Sequence, residues 1–212
     1  MSQVIPGILE KEWKEIEKKL QIIKPFSRRV HIDILDGKFS EETSFLDPTP
    51  FKKYKDDFFM EAHLMVENPA QYIKPFADAG FNRFLGHIEK MVDLDEFIAL
   101  GQIHGEVGIA VDIQTSIESL KIPYDDIDSI LLMGVKAGKS GQVFLPETLG
   151  KVRKLRERTQ IPVEIDGGVD AGTIVAIGKE GVDRFVVTSF IFQNQDPMQA
   201  YEKLLHLSNP TI

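Results

Sequence analysis

Eight short apolar, β-branched runs recur along the chain, with helical patterns between most of them. They are Val4–Leu9, Arg29–Leu35, Phe59–Val66, Arg83–His87, Val107–Asp112, Ser129–Met133, Val163–Ile165 and Arg184–Thr188. Helical patterns cover Glu10–Leu20, Pro69–Ala79, Leu94–Ile103, Pro146–Arg158, Ala171–Lys179 and Pro197–Leu207. The second connection is irregular apart from a short basic-aromatic piece near Phe51–Tyr54, and the fifth is short and weak. This alternation predicts an α/β protein, a (β/α)8 TIM barrel spanning residues 1–212 as one domain. The competing architecture is an open doubly wound sheet, which usually has fewer strands and a glycine-rich first turn. The first turn here reads "GILEKEW", without that glycine pattern, and the barrel is preferred.

Side chains in such a barrel alternate between the interior and the helix layer, and active sites lie at the C-terminal ends of the strands. In "RRVHIDILDGKF", Val30, Ile32 and Ile34 suit the helix layer, while His31, Asp33 and Leu35 point inward. In "FMEAHLMV" the inward set is Glu61, His63 and Met65, and in "PVEIDGGV" it is Glu164 and Asp166. A buried strand ordinarily avoids ionisable groups, so something must offset their desolvation. Two imidazoles and two carboxylates, His31, Asp33, His63 and Asp166, form a plausible ligand set for a divalent metal: zinc, iron(II), manganese or cobalt. The other reading is a polar core in which each group bonds its neighbour. Glu61 and Glu164 lie deeper and read as structural, pairing with Arg or Lys.

The absence of cysteine excludes disulfides and thiolate ligands, and suits a reducing compartment. A formal net charge of −8 opposes binding to nucleic acid or an anionic membrane surface. No secretory signal is read at the N-terminus, and no apolar run is long enough to span a membrane, so a cytoplasmic location is the expectation.

Loops after the seventh and eighth barrel strands commonly bind phosphate. Here they carry Gly167 and Gly168, then Thr188 and Ser189; the loop after the sixth strand, "MGVKAGKSGQVF", is also glycine-rich. A Gly-Gly pair alone more often marks a turn, but this one follows Asp166 directly.

Over nearly the whole chain these motifs resemble the ribulose-phosphate 3-epimerases. The resemblance is carried by "HIDILDGKF", "EAHLMVENP", "LLMGVKAGKSGQVFLPETLGKVRKLRE", "VEIDGGVDAGTI" and "SFIFQNQDPMQAYEKL", in that order. It implies a barrel of the ribulose-phosphate-binding type that uses one divalent metal ion to invert carbon 3 of a ketose phosphate. D-ribulose 5-phosphate is the first candidate and a six-carbon analogue such as allulose 6-phosphate the next. By position, His31, Asp33, His63 and Asp166 are implied as metal ligands, with Asp33 and Asp166 also the acid–base pair. Met65 and Met133 match positions that line the cavity, although either alone reads as a core filler. Gly7, Lys139, Ser140, Gly141, Gln142, Gly167, Gly168, Thr188 and Ser189 fall on substrate-contacting positions. The resemblance also suggests a dimer or larger ring.

Departures cluster at the substrate end. The family's first strand usually ends in Pro-Ser, with the serine hydroxyl meeting the substrate; here "VIPGIL" has Gly7. "AGKSGQ" stands where Pro-Gly-Phe-Gly-Gly-Gln is usual, and Thr188-Ser189 where Gly-Ser is usual. Asp112 and Gln114 replace another polar residue and a glycine. Lys136 reads as a solvated loop lysine, and His104 as a helix-end surface residue. His87 and Glu89, in "GHIEK", could support the site from behind or simply pair at a barrel end. A related decarboxylase or aldolase-type barrel would place an Asp-x-Lys-x-x-Asp array on the third strand, and "EAHLMVEN" has no lysine. The changed surroundings also leave open a non-catalytic barrel that binds metal or sugar phosphate.

Overall fold

Period-two alternation along the strands decides the layering of the molecule. In the computed structural model, which describes residues 2–209, eight parallel strands close into a barrel in sequence order. They are β1 (Gln3–Ile8), β2 (Arg29–Leu35), β3 (Phe59–Met65), β4 (Arg83–His87), β5 (Glu106–Val111), β6 (Ser129–Met133), β7 (Val163–Asp166) and β8 (Arg184–Val187). β1 pairs with both β2 and β8, so no sheet edge is exposed. The open doubly wound alternative is thereby excluded.

Outward residues such as Val30, Ile32, Ile34, Ala62 and Leu64 join one continuous core with the helices. Inside the barrel, Leu35, Met65, Leu85, Ala110, Leu131 and Met133 form a second, smaller apolar cluster. The helices are α1 (Trp13–Ile23), α2 (Ala70–Asp78), α3 (Leu94–His104), α4 (Glu147–Arg156), α5 (Ile174–Lys179), α6 (Ser189–Phe192) and α7 (Pro197–Ser208). α1 turns Ile16, Leu20 and Ile23 onto the barrel, all fully buried, and each contributes roughly 1.5–3 kcal/mol by leaving water. The starts of α3 and α7 are fixed chemically. Asp93 accepts from the Glu96 N–H and Asp196 from the Gln199 N–H, both at 3.0 Å.

The second connection holds a 3-10 helix at Thr49–Tyr54, and the fifth holds two short ones at Ile117–Ser119 and Tyr124–Asp126. α1 begins at Trp13 rather than Glu10 because the Glu10 carbonyl accepts from the Phe45 N–H at 2.8 Å. Among the described residues no helix is long and apolar enough to cross a membrane.

Candidate active site

Register brings the inward polar residues together. β2 sets His31 opposite Gly7 on one side and Glu61 on the other, and Asp33 opposite His63. Asp166 arrives from β7, level with Met133 and Val186. His31, Asp33, His63 and Asp166 each offer one ligand atom, and these four atoms lie within 4.8 Å of one another. Both histidines are fully buried, and the aspartates nearly so. His63 Nδ1 lies 2.8 Å from Asp33 Oδ1 and 3.4 Å from Asp166 Oδ2, while His31 Nε2 lies 3.3 Å from Asp33 Oδ1.

His31 Nε2 is buried yet makes no hydrogen bond among the described residues. A buried polar atom of this kind is costly unless something else meets it. Its position on the four-donor cluster, together with the N/O donor set, fits a divalent transition metal.

Each histidine is held from behind. Glu61 Oε1 accepts from His31 Nδ1 at 2.8 Å, and Glu164 Oε1 stands 3.4 Å from the same nitrogen. Glu61 is held in turn by Arg83 at 2.6 Å, and Arg83 reaches Glu106 through Nε at 2.8 Å. The structural role read for the two deep glutamates thus has a second part: their carboxylates aim the free nitrogen of His31 at the cluster.

Behind His63 the chain runs from Nε2 to His87 Nε2 at 2.9 Å, and from His87 Nδ1 to Glu89 Oε2 at 3.2 Å. Burial opposes ionisation of Glu89, but the interactions with His87 and the hydrogen bonds from Thr115 and the Asp112 N–H together outweigh it and lower its pKa to about 2. An ionised carboxylate only accepts, so His87 Nδ1 carries a proton. Burial lowers the pKa of His87 and keeps the ring neutral, leaving its Nε2 bare. His63 must therefore donate through its own Nε2–H, and a neutral His63 then presents a lone pair on Nδ1 to the cluster.

The charges are coupled. Burial disfavours cations on His31 and His63, yet facing carboxylates raise both pKa values: Asp33, Glu164 and Glu61 for His31, Asp166 and Asp33 for His63. Burial would raise Asp33, but His31 and His63 pull it below the ordinary carboxylate range. Burial and the Glu61 charge raise Glu164. Such a site is built to hold positive charge.

Above the cluster lies a cavity lined by Asp33 and Asp166, with Met65 and Met133 as apolar walls. Lys139, Ser140, Gly141 and Gln142 border it from the loop after β6, and Gly167, Gly168, Thr188 and Ser189 from the loops after β7 and β8. Gly7 is set back from it, behind Thr188 and Val186. Gly167 and Gly168 have φ of 101° and 71°. A Cβ on Gly168 would stand 2.5 Å from the Phe144 backbone, so a turn and a close approach both require glycine there. Lys136 is exposed, as expected of a solvated lysine.

The family model for ribulose-phosphate 3 epimerases matches residues 3–192. The chain belongs to the ribulose-phosphate 3-epimerase family. It is 31% identical over 211 residues to the ribulose-phosphate 3-epimerase of Schizosaccharomyces pombe, covering 96% of this chain and 92% of that protein. With the ribulose-phosphate 3-epimerase of Aquifex aeolicus the identity is 31% over 215 residues, covering 98% and 97%. Among solved structures, 3-hexulose-6-phosphate synthase from Salmonella typhimurium superposes with a TM-score of 0.74 at 13% identity, covering 98% of each chain, which supports the barrel fold alone. As a member of this family the protein is an isomerase, an epimerase acting on a pentose phosphate.

Two positioning residues escaped the sequence reading. Ser44 donates to the Asp33 carbonyl at 2.8 Å and accepts from the Leu35 N–H at 2.9 Å, pinning the end of β2 beside this epimerase's cluster. Glu42 pairs with Lys139 at 3.1 Å across the mouth. Neither sits in a strand or shows periodicity, so only an acidic and hydroxyl-rich "SEETS" was available as a signal.

Proposed function

We propose that the chain is a divalent-metal-dependent 3-epimerase interconverting D-ribulose 5-phosphate and D-xylulose 5-phosphate. The observation that carries the reading is the convergence of four buried donors on one point, among them His31 Nε2, which makes no hydrogen bond among the described residues. His31, Asp33, His63 and Asp166 hold the ion. A bound divalent cation supplies Lewis-acid stabilisation of negative charge developing on the ketose oxygens.

The remaining work falls to side chains. Asp33 stands on β2 and Asp166 on β7, and both reach the cavity. One carboxylate removes the carbon-3 proton from one face of the sugar. The other returns a proton to the opposite face of the planar enediolate, which inverts the centre. Met65 and Met133 give the flat intermediate an apolar bed and keep water from competing for the proton. Gly167, Gly168, Ser189 and the Gly138–Gln142 loop hold the phosphate, with Lys139 adding charge. Glu61 and His87 position the two histidines.

The test is solvent-deuterium exchange at carbon 3 of ribulose 5-phosphate, followed by NMR on protein of measured metal content. The expected result is exchange in the parent, slowed at least about 100-fold in Asp33→Asn and in Asp166→Asn. Exchange confined to a six-carbon ketose phosphate would replace the substrate. Bound metal with no exchange on any ketose phosphate would leave a binding protein and overturn the reading.

A further inference from the structure

Gly7 and Thr188 face each other across the seam where the barrel closes. The β1–β8 ladder pairs Gln3 with Arg184 and proceeds to Pro6 with Val187, so the next step sets Gly7 level with Thr188. The backbone at Gly7 is outside the left-handed region, so conformation does not demand glycine there. Space does. A Cβ at position 7 would stand 2.5 Å from Thr188 Oγ1 and 2.8 Å from Val186 Cγ1, inside van der Waals contact.

The Thr188 hydroxyl therefore fills the volume that a side chain on β1 would need. Thr188 is half-buried and borders the cavity shared with Asp33 and Asp166. Its hydroxyl has no hydrogen-bond partner among the described residues. On its other side Gly7 pairs with His31, so this hydroxyl stands one strand away from the ligand cluster. A half-buried hydroxyl on the cavity wall is placed to meet a ligand oxygen.

We infer that Thr188 Oγ1 hydrogen-bonds a sugar oxygen of the ketose phosphate, and that Gly7 is bare to make room for it. The inference rests on the epimerase reading. It explains why the first strand can end without a hydroxyl: the group is delivered from β8 instead. The two positions are coupled, since a Cβ at position 7 would press on Thr188 Oγ1 more closely than on Val186 Cγ1, its other near neighbour.

Steady-state kinetics on the metal-loaded enzyme with ribulose 5-phosphate test this. Thr188→Val keeps the shape and removes the hydroxyl; KM should rise about tenfold, with an unchanged melting temperature and unchanged inhibition by inorganic phosphate. Thr188→Ser keeps the hydroxyl and should restore KM to within about twofold of the parent. Gly7→Ala should lower kcat/KM more with Thr188 present than in a Thr188→Gly background, because the added methyl displaces the hydroxyl only when it is there. Parent-like kinetics in Thr188→Val, or equal cost of Gly7→Ala in both backgrounds, would overturn the inference while leaving the epimerase intact. A parallel loss of phosphate inhibition in Thr188→Val would move the contact to phosphate and overturn the sugar-oxygen assignment. A parent that turns over no ketose phosphate would sink the epimerase reading and this inference together.

Discussion

His63 and His87 meet nitrogen to nitrogen, Nε2 to Nε2, at 2.9 Å. One of the two must donate, and Glu89 settles which by holding the proton on the far side of His87. Replacing His87 by Phe removes the acceptor and leaves the His63 N–H buried without a partner. The expected outcome is a metal affinity lower by about 10–100-fold, measured by competition with a chelating dye, with the fold retained by circular dichroism.

Glu89 gives the protein a defined acid response. Its folded-state pKa is about 2, below the ordinary carboxylate value of about 4.3. A depressed carboxylate stabilises the fold fully above its unfolded pKa and loses that contribution as pH falls through the folded one. The window is therefore about pH 4.3 down to about 2. Denaturant melts across this range should fall more steeply for the parent than for Glu89→Gln; parallel curves would refute the assignment.

Arg83 is the one arginine or lysine within hydrogen-bonding reach of Glu61 among the described residues, the other partner being His31, and both Arg83 and Glu61 are buried. Arg83→Met strands the Glu61 charge in the barrel floor. We expect a loss of about 3–5 kcal/mol in unfolding free energy, read from urea denaturation. Pairing the change with Glu61→Gln should recover part of it.

Gly168→Ala should harm both stability and turnover. The backbone there has φ of 71°, and the new methyl would press on the Phe144 backbone at 2.5 Å. A cost of about 1–3 kcal/mol is expected, and the displaced loop should raise KM for ribulose 5-phosphate.

Lys139→Ala separates binding from folding. The lysine is exposed and its partner Glu42 only partly buried, so thermal stability should change by less than about 0.5 kcal/mol. KM for the phosphorylated substrate should nevertheless rise, and the rise should shrink at high ionic strength.

The strands were readable because each combines β-branched residues with period-two alternation, and a polar residue at an inward position stands out against that pattern. His31, Asp33, His63 and Asp166 were found this way. The use made of Glu61 and Glu164 was not, since their partners His31 and Arg83 lie far off in sequence and meet them only through register. α6, four residues long, is too short to show a helical period. α5 starts at Ile174 instead of Ala171 because the Asp170 side chain captures the N–H groups of Gly172 and Thr173, at 2.7 and 2.9 Å, in a local turn. The Gly7–Thr188 exchange is invisible without the closure of the barrel, which alone brings residues 7 and 188 side by side.

Asp33 and Asp166 are rooted in β2 and β7, strands that pair with others and not with each other. Their spacing is consequently a dimension of the cylinder, fixed by strand number and tilt. Segments bordering the mouth can drift in sequence and admit a different sugar, while the span between the two acids stays where the staves put it.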